Sequence, residues 1–167
     1  MDRYSAGVLL YSYDPSGNVA FLLGEDYKNK YSDFGGRCDI RDTNHIHTAS
    51  REFYEETCGV IMDVHCVSHK LQKSPIIHSV SYMGNPYYMY VLYVPYCNDY
   101  INEFRMVRKY INFKKIEKRF KEKISLKWFT VSDILEDKEQ IRQIFLKTFV
   151  KNMDIIQNVT ARKVFKH

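Results

Sequence analysis

The chain has 167 residues, which suits one domain with its own hydrophobic core and leaves little room for a second. Its composition, 45% hydrophobic and 27% charged with a formal net charge of +5, is ordinary for a soluble globule, and no stretch approaches the roughly 18 apolar residues that would argue for a membrane span. The four cysteines, Cys38, Cys58, Cys66 and Cys97, form no C-x-x-C pair, and no histidine cluster offers zinc-like spacing, so reduced thiols are expected rather than a disulfide framework.

Met1-Asp2-Arg3-Tyr4 lacks the charged start and apolar run of a signal peptide, and a cytoplasmic protein is expected. Ser5 to Tyr13 reads as a strand, Asp14-Pro15-Ser16-Gly17-Asn18 as a turn, and Val19 to Leu23 as the returning strand of a hairpin. Gly24 to Ser32 reads as a polar loop, and Asp33-Phe34-Gly35-Gly36 as a short strand end with two flexible positions. Asn44 to Cys58 reads as a helix, with Asp42, Thr43 and Asn44 as capable N-caps and Gly59 placed for a left-handed cap. Strands are expected over Val64–Lys70, Ile76–Tyr82 and Tyr87–Val94. A helix is expected over Tyr100–Lys123, with a break near Asn112. A strand around Trp128, a helical turn at Ser132–Leu135 and a helix over Lys138–Lys151 complete the series. This order predicts a single α/β domain, a mixed sheet with helices on both faces.

Charge is unevenly spread. Arg105 to Lys123 holds nine Lys and Arg against Glu117 and Glu122, which is +7 and leaves the remainder near −2. Such a block points to an acidic ligand about as often as to a solvated face.

The chemistry concentrates in Gly35-Gly36-Arg37-Cys38-Asp39-Ile40-Arg41-Asp42, leading to Arg51-Glu52-Phe53-Tyr54-Glu55-Glu56-Thr57-Cys58-Gly59-Val60. At about 100° per residue, with Glu52 at 0°, Glu55 falls near −60° and Glu56 near +40°, so three carboxylates share one face. Ala49, Phe53, Ile46 and Val60 fall between about 60° and 120°, an apolar stripe able to pack on a sheet while the acidic stripe looks out beside it. Clustered carboxylates repel unless something cationic sits among them, and hard oxygen donors of this kind suit Mg²⁺ or Mn²⁺. An arbitrary E-x-x-E-E helix is more often a solvated acidic face; the preceding strand, Gly-Gly turn and loop shift the balance toward a site.

These residues resemble the Nudix box, G-x5-E-x7-R-E-U-x-E-E-x-G-U with U apolar. Arg51-Glu52-Phe53-Tyr54-Glu55-Glu56 matches its central R-E-U-x-E-E at every position. Two departures stand out. Counted forward from Gly36, the pattern's first glutamate falls on Asp42, yet eight residues rather than seven then precede Arg51; counted backward from Arg51, it falls on Thr43. The glycine after E-E-x is displaced as well, with Cys58 intervening before Gly59.

The resemblance implies a Nudix-like α/β/α sandwich and a hydrolase of phosphoanhydride bonds in nucleotide-linked substrates. It implies that Mg²⁺ or Mn²⁺ is held by Glu52, Glu55, Glu56 and the Gly36 carbonyl, with Arg51 orienting Glu55. A further acid often comes from outside the box; Glu122 and Glu103 are candidates, although surface charge is the commoner role for such residues. For the substrate, Lys114, Lys115, Lys118 and Arg119 could follow an RNA backbone, which makes a capped or triphosphorylated RNA end one candidate. A small dinucleoside or sugar-linked nucleoside diphosphate and an inositol pyrophosphate are others. Tyr110, Phe113 and Phe120 are expected to pack on the sheet rather than stack on bases. Tyr27 and Tyr31, in the loop before the box, could stack on a base. A Nudix-fold module that reads RNA without cleaving it is the competing class; the intact E-x-x-E-E argues against it.

Overall fold

A computed structural model describes residues 3–161; Met1 and Asp2, half of the segment expected to lack a signal peptide, lie outside the described residues. Among the described residues, seven strands form one mixed sheet: β1 (Ser5–Tyr13), β2 (Val19–Asp26), β3 (Tyr31–Ser32), β4 (Phe34–Arg37), β5 (Ile76–Val80), β6 (Pro86–Tyr93) and β7 (Lys123–Thr130). Six α-helices among these residues flank it: α1 (His45–Thr57), α2 (Val64–Leu71), α3 (Asp99–Phe113), α4 (Val131–Glu136), α5 (Gln143–Lys151) and α6 (Met153–Thr160).

Alternation along the strands builds the two faces, because successive side chains point to opposite sides of a pleated strand. Ala6, Val8 and Leu10 of β1, with Tyr90 and Leu92 of β6, pack under Ala49 and Phe53 of α1, Val67 and Leu71 of α2, and Phe104 of α3. Leu9, Phe21, Met89 and Val91 point the other way, against Ile134 of α4, Phe145 and Phe149 of α5, and Ile156 of α6. The result is the α/β/α sandwich expected.

The pairing of β1 creates the place where the site forms. One edge of β1 pairs in parallel with β6 along Ser5–Tyr11. The other edge is shared: Leu10–Tyr13 pair with β2, while Ser5–Val8 pair with β4. Beyond Leu22, β2 leaves β1 and takes β3 at Gly24 and Glu25. The sheet therefore forks, and the chain crosses the fork at Asp33, between β3 and β4. The crossing demands small residues. A Cβ on Gly35 would meet the Tyr87 hydroxyl, stand 2.7 Å from the Gly7 Cα and 2.8 Å from the Ala6 carbonyl.

Several elements differ from the expectations. Val64–Leu71 is a helix, not a strand: the Asp63 side chain accepts from the Cys66 N–H as its N-cap, and Val67 and Leu71, one turn apart, are buried. The segment expected as a loop after Leu23 continues as strand to Asp26, because β7 pairs with β2 as far as that residue. The long helix from Tyr100 ends at Phe113, and a 3-10 turn at Lys118–Lys121 follows. The helix expected from Lys138 starts at Gln143, because Ile141 forms a strand bridge to Tyr31. Met153–Thr160 is a helix, α6, where no element is expected from the sequence. The left-handed C-cap of α1 is Cys58 (φ 53°) rather than Gly59, whose φ of 67° extends the same turn.

Candidate active site

α1 lies across the fork, so the box carboxylates meet the Gly35-Gly36 backbone. The Gly35 N–H donates to Glu56 Oε2 at 2.8 Å. The Glu52 carboxylate rests against Gly36 so closely that a Cβ there would stand 2.6 Å from it. Each glycine thus holds one carboxylate, by a donated hydrogen bond at one position and by close approach at the next.

The acidic face is not the solvent-facing stripe expected from the helical wheel. Glu55 and Glu56 are each 5% exposed and Glu52 is half-buried, because β4 and the 118–121 turn close over α1. Burial raises the Glu52 carboxyl to about 7, with Glu55 and Glu122 adding to the shift against the opposing pull of Arg51. Burial likewise raises Glu56, helped by Glu52, Glu122 and Asp33 and opposed by Lys123. Glu122, the outside acid picked from sequence, therefore stands in electrostatic contact with both. Glu103 does not: it is exposed on α3, near Tyr100.

Arg51 binds the site together with every guanidinium nitrogen. Its Nε and Nη2 donate to the two oxygens of Asp42 at 3.0 and 2.9 Å, Nη1 donates to Glu52 at 2.8 Å and Glu55 at 3.3 Å, and Nη2 also reaches the Arg37 carbonyl at 3.0 Å. Of the two positions counted from the pattern, Asp42 is the one that meets Arg51, whereas Thr43 bonds His47. Burial works against the Asp42 charge, but the bonds from Arg51, the Asp39 N–H and Thr48 outweigh it and hold that carboxyl below its ordinary value. Glu55 accepts a second arginine, Arg119, at 3.0 Å.

Among the described residues, no three acidic, histidine or cysteine side chains converge on a common point as they stand. The chemistry of the donor set nonetheless fits a hard divalent cation. Buried Glu56, half-buried Glu52 and exposed Glu122 bring negative charge together, the donors are all oxygen, and Gly36 has no side chain to shield its carbonyl.

Beside Glu56 and Glu122 lies a cavity of about 360 Å³. Arg37, Lys123 and Arg142 bring positive charge to its wall; Asp33, Tyr82, Met83, Tyr87 and Phe145 line the rest. Lys123 is buried and donates to the Ser32 hydroxyl at 2.9 Å and the Gly24 carbonyl at 3.2 Å, and Tyr87 donates to the buried Asp33 carboxyl. Burial raises the Asp33 carboxyl, against the pull of Tyr87 and Lys123.

The other residues singled out from sequence are scattered. Tyr31 packs edge-on against Phe129 and bonds Glu25 and Ser125, and Tyr27 is exposed with its hydroxyl accepting from Arg108; neither lines the cavity. Lys114, Lys115 and Lys118 are exposed outside it, while Arg119 pairs with Glu55 and Glu117. The tyrosines that do line the cavity, Tyr82 and Tyr87, sit at the β5–β6 hairpin, at the facing ends of two segments expected only as strands. Lys123 and Arg142 were likewise unmarked, one hidden in the basic run and the other in a segment expected to be helix.

No protein-family model matches the chain, and no curated protein matches its sequence. Solved structures do. An Ap4A hydrolase from C. elegans superposes with a TM-score of 0.56 at 14% identity, covering 92% of this chain and 98% of that one. A NUDIX hydrolase from Nitrosomonas europaea gives a TM-score of 0.50 at 12% identity, over 99% of this chain and 100% of that one. A bifunctional NMN adenylyltransferase/ADP ribose pyrophosphatase from Francisella tularensis, complexed with AMP and a manganese ion, gives 0.56 at 10% identity, over 93% of this chain but 42% of that longer one. At these identities the likeness is one of fold.

Proposed function

We propose that this chain, which has the fold of the Nudix hydrolases, is a metal-dependent pyrophosphohydrolase that adds water across a diphosphate bond in a nucleotide-linked substrate. The observation that carries the reading is the register of the acidic helix on the glycine turn: Glu52 against Gly36, Glu56 bonded to the Gly35 N–H, and Arg51 tying both Glu52 and Glu55 to Asp42.

Glu52, Glu56, the Gly36 carbonyl and Glu122 would hold Mg²⁺ or Mn²⁺, with Glu55 beside them. When bound, the ion neutralises diphosphate charge and supports in-line attack by water on phosphorus. The chain itself supplies the rest. Arg51 fixes the carboxylates so that they present oxygen without first reorganising. The Gly35 N–H locks one oxygen of Glu56 and leaves the other available. Arg37, Lys123 and Arg142 in the cavity wall would offset phosphate charge on the substrate side.

For the substrate, the reading is an RNA 5′ end carrying a cap or triphosphate, supported by the exposed Lys114, Lys115 and Lys118 and by Arg119, which reaches Glu55. A small nucleoside diphosphate derivative such as ADP-ribose or a dinucleoside polyphosphate is the second reading, favoured by the cavity of about 360 Å³ beside Glu56. A non-catalytic RNA-binding module is disfavoured by the intact acids. The test is a product screen: purified protein with Mg²⁺ or Mn²⁺ against capped RNA, triphosphorylated RNA, ADP-ribose, dinucleoside polyphosphates and inositol pyrophosphates. Metal-dependent release of a nucleotide from one class supports the reading and names the substrate; no turnover on any class contradicts it.

A further inference from the structure

The helix α3 carries a face that packing does not explain. Its core side is Phe104, Arg108 and Ile111, spaced i, i+4, i+7 and buried. Met106, Tyr110 and Phe113 have the same spacing two residues on, about 200° around the helix. They are 72%, 59% and 84% exposed. The expectation that Tyr110 and Phe113 pack on the sheet fails for both. Phe120 is half-buried, but its ring lies edge-on to Tyr54 of α1 and under the Arg119 guanidinium rather than on the sheet.

The cations sort in the same way. Of the nine in the basic run, Arg108 and Lys123 are buried, Lys121 is half-buried and Arg119 is paired to carboxylates, whereas Arg105, Lys109, Lys114, Lys115 and Lys118 are exposed. Arg105 and Lys109 flank one side of the aromatic stripe, and the Lys114 ammonium lies 5.7 Å from the Phe113 ring centroid. From Phe113, the exposed Lys114, Lys115 and Lys118 lead along the chain to Arg119, which contacts Glu55 of the candidate catalytic helix.

We infer that this face of α3 is a binding platform for single-stranded RNA, with bases stacked on Tyr110 and Phe113 and phosphates along Arg105, Lys109, Lys114, Lys115 and Lys118, so that the 5′ end is fed past Arg119 toward Glu55. The inference rests on the reading of the substrate as an RNA 5′ end, and it adds where the body of the strand is held. Flat aromatic rings offered to solvent among lysines match unpaired bases on a phosphate chain.

The test is binding of a labelled single-stranded RNA of about 20 nucleotides with a 5′ hydroxyl, which has no anhydride to cleave, measured in EDTA across a salt series. The protein is expected to bind it. Replacing Tyr110 and Phe113 together by Ser, at exposed positions where the fold can be checked by thermal denaturation, should weaken binding about tenfold or more. Lys114→Gln, Lys115→Gln and Lys118→Gln together should lower the slope of log affinity against log salt by about 2. No binding by the unsubstituted protein, equal binding by the Tyr110/Phe113 variant, or preference for phosphatidylserine vesicles over RNA would each overturn the platform. Turnover of a dinucleoside polyphosphate by the unsubstituted protein, measured in parallel, reports on the hydrolase reading alone. RNA binding without any turnover keeps the platform and removes the enzyme; turnover without RNA binding does the reverse.

Discussion

Arg51 and Asp42 face each other in a two-bonded ion pair across nine residues of sequence, at 3.0 and 2.9 Å, with the Asp42 side chain almost wholly buried. The pair anchors the loop between β4 and α1 to the helix that carries the acids. Asp42→Ala should therefore cost about 1–3 kcal/mol, because it strips a half-buried guanidinium of its main acceptor while Glu52 and Glu55 remain to hold it in part. Urea denaturation of the variant measures this, and an unchanged midpoint would remove the anchor role. Asp42→Glu should recover part of the loss.

The two glycines of the turn should fail in different ways. At Gly36, the nearest atoms an added methyl meets are the movable end of Glu52, so Gly36→Ala should fold while losing most of its metal-dependent turnover. At Gly35 the collision is with backbone at Gly7 and Ala6, so Gly35→Ala should unfold or express poorly. Circular dichroism and turnover on both variants separate the outcomes; a well-folded Gly35→Ala would show that the fork is looser than it is drawn.

Arg119 offers a contrast with Arg51. Its guanidinium is about two-fifths exposed, so the pair with Glu55 is screened by water and should contribute little to stability. Arg119→Gln should shift the denaturation midpoint by no more than about 1 kcal/mol equivalent, yet it should weaken RNA turnover if that side chain guides the substrate. A shift in stability as large as that of Asp42→Ala would make Arg119 a structural element instead.

Stability of the metal-free protein should depend on pH in a direction set by Glu52 and Glu56. Both carboxyls are raised in the folded state, chiefly by burial, Glu52 to about 7. Above the ordinary carboxylate range the unfolded chain has released these protons while the folded chain still holds them. The unfolded state then binds fewer protons, and stability falls as pH rises from about 5 toward 8. Mg²⁺ competes with those protons, so its stabilising effect should grow over the same window. Thermal denaturation at pH 5.5 and pH 8, with EDTA and with Mg²⁺, shows whether the two curves diverge; parallel curves would count against a cation between these acids.

The helix α1 was legible because its message is local: a cap at Asn44, the spacing of Arg51, Glu52, Glu55 and Glu56, and the Gly-Gly turn all lie within about 25 residues. Its burial was not legible, since Glu55 and Glu56 are covered by segments distant in sequence. The same limit hid the walls of the cavity, where Lys123, Arg142 and Tyr82 come from three separate elements. Val64–Leu71 differs from the strand expected because Asp63 caps it as a helix and Val67 and Leu71, one turn apart, bury against the core, whereas its β-branched valines favour a strand. For α6, Ile155, Ile156 and Val159 carry β-branched side chains that lower helix propensity, and packing of Ile156 into the core overrides it.

The measurement that bears most directly on the account is turnover by Glu56→Gln. The change keeps the shape and the acceptor for the Gly35 N–H but removes the charge at the centre of the acidic cluster. Against the substrate panel with Mg²⁺ and Mn²⁺, the unsubstituted protein should release product and the variant should lose at least about a hundredfold in rate, while folding as stably as its parent or more so. Product release by both at similar rates would contradict the assignment of these carboxylates as the catalytic centre.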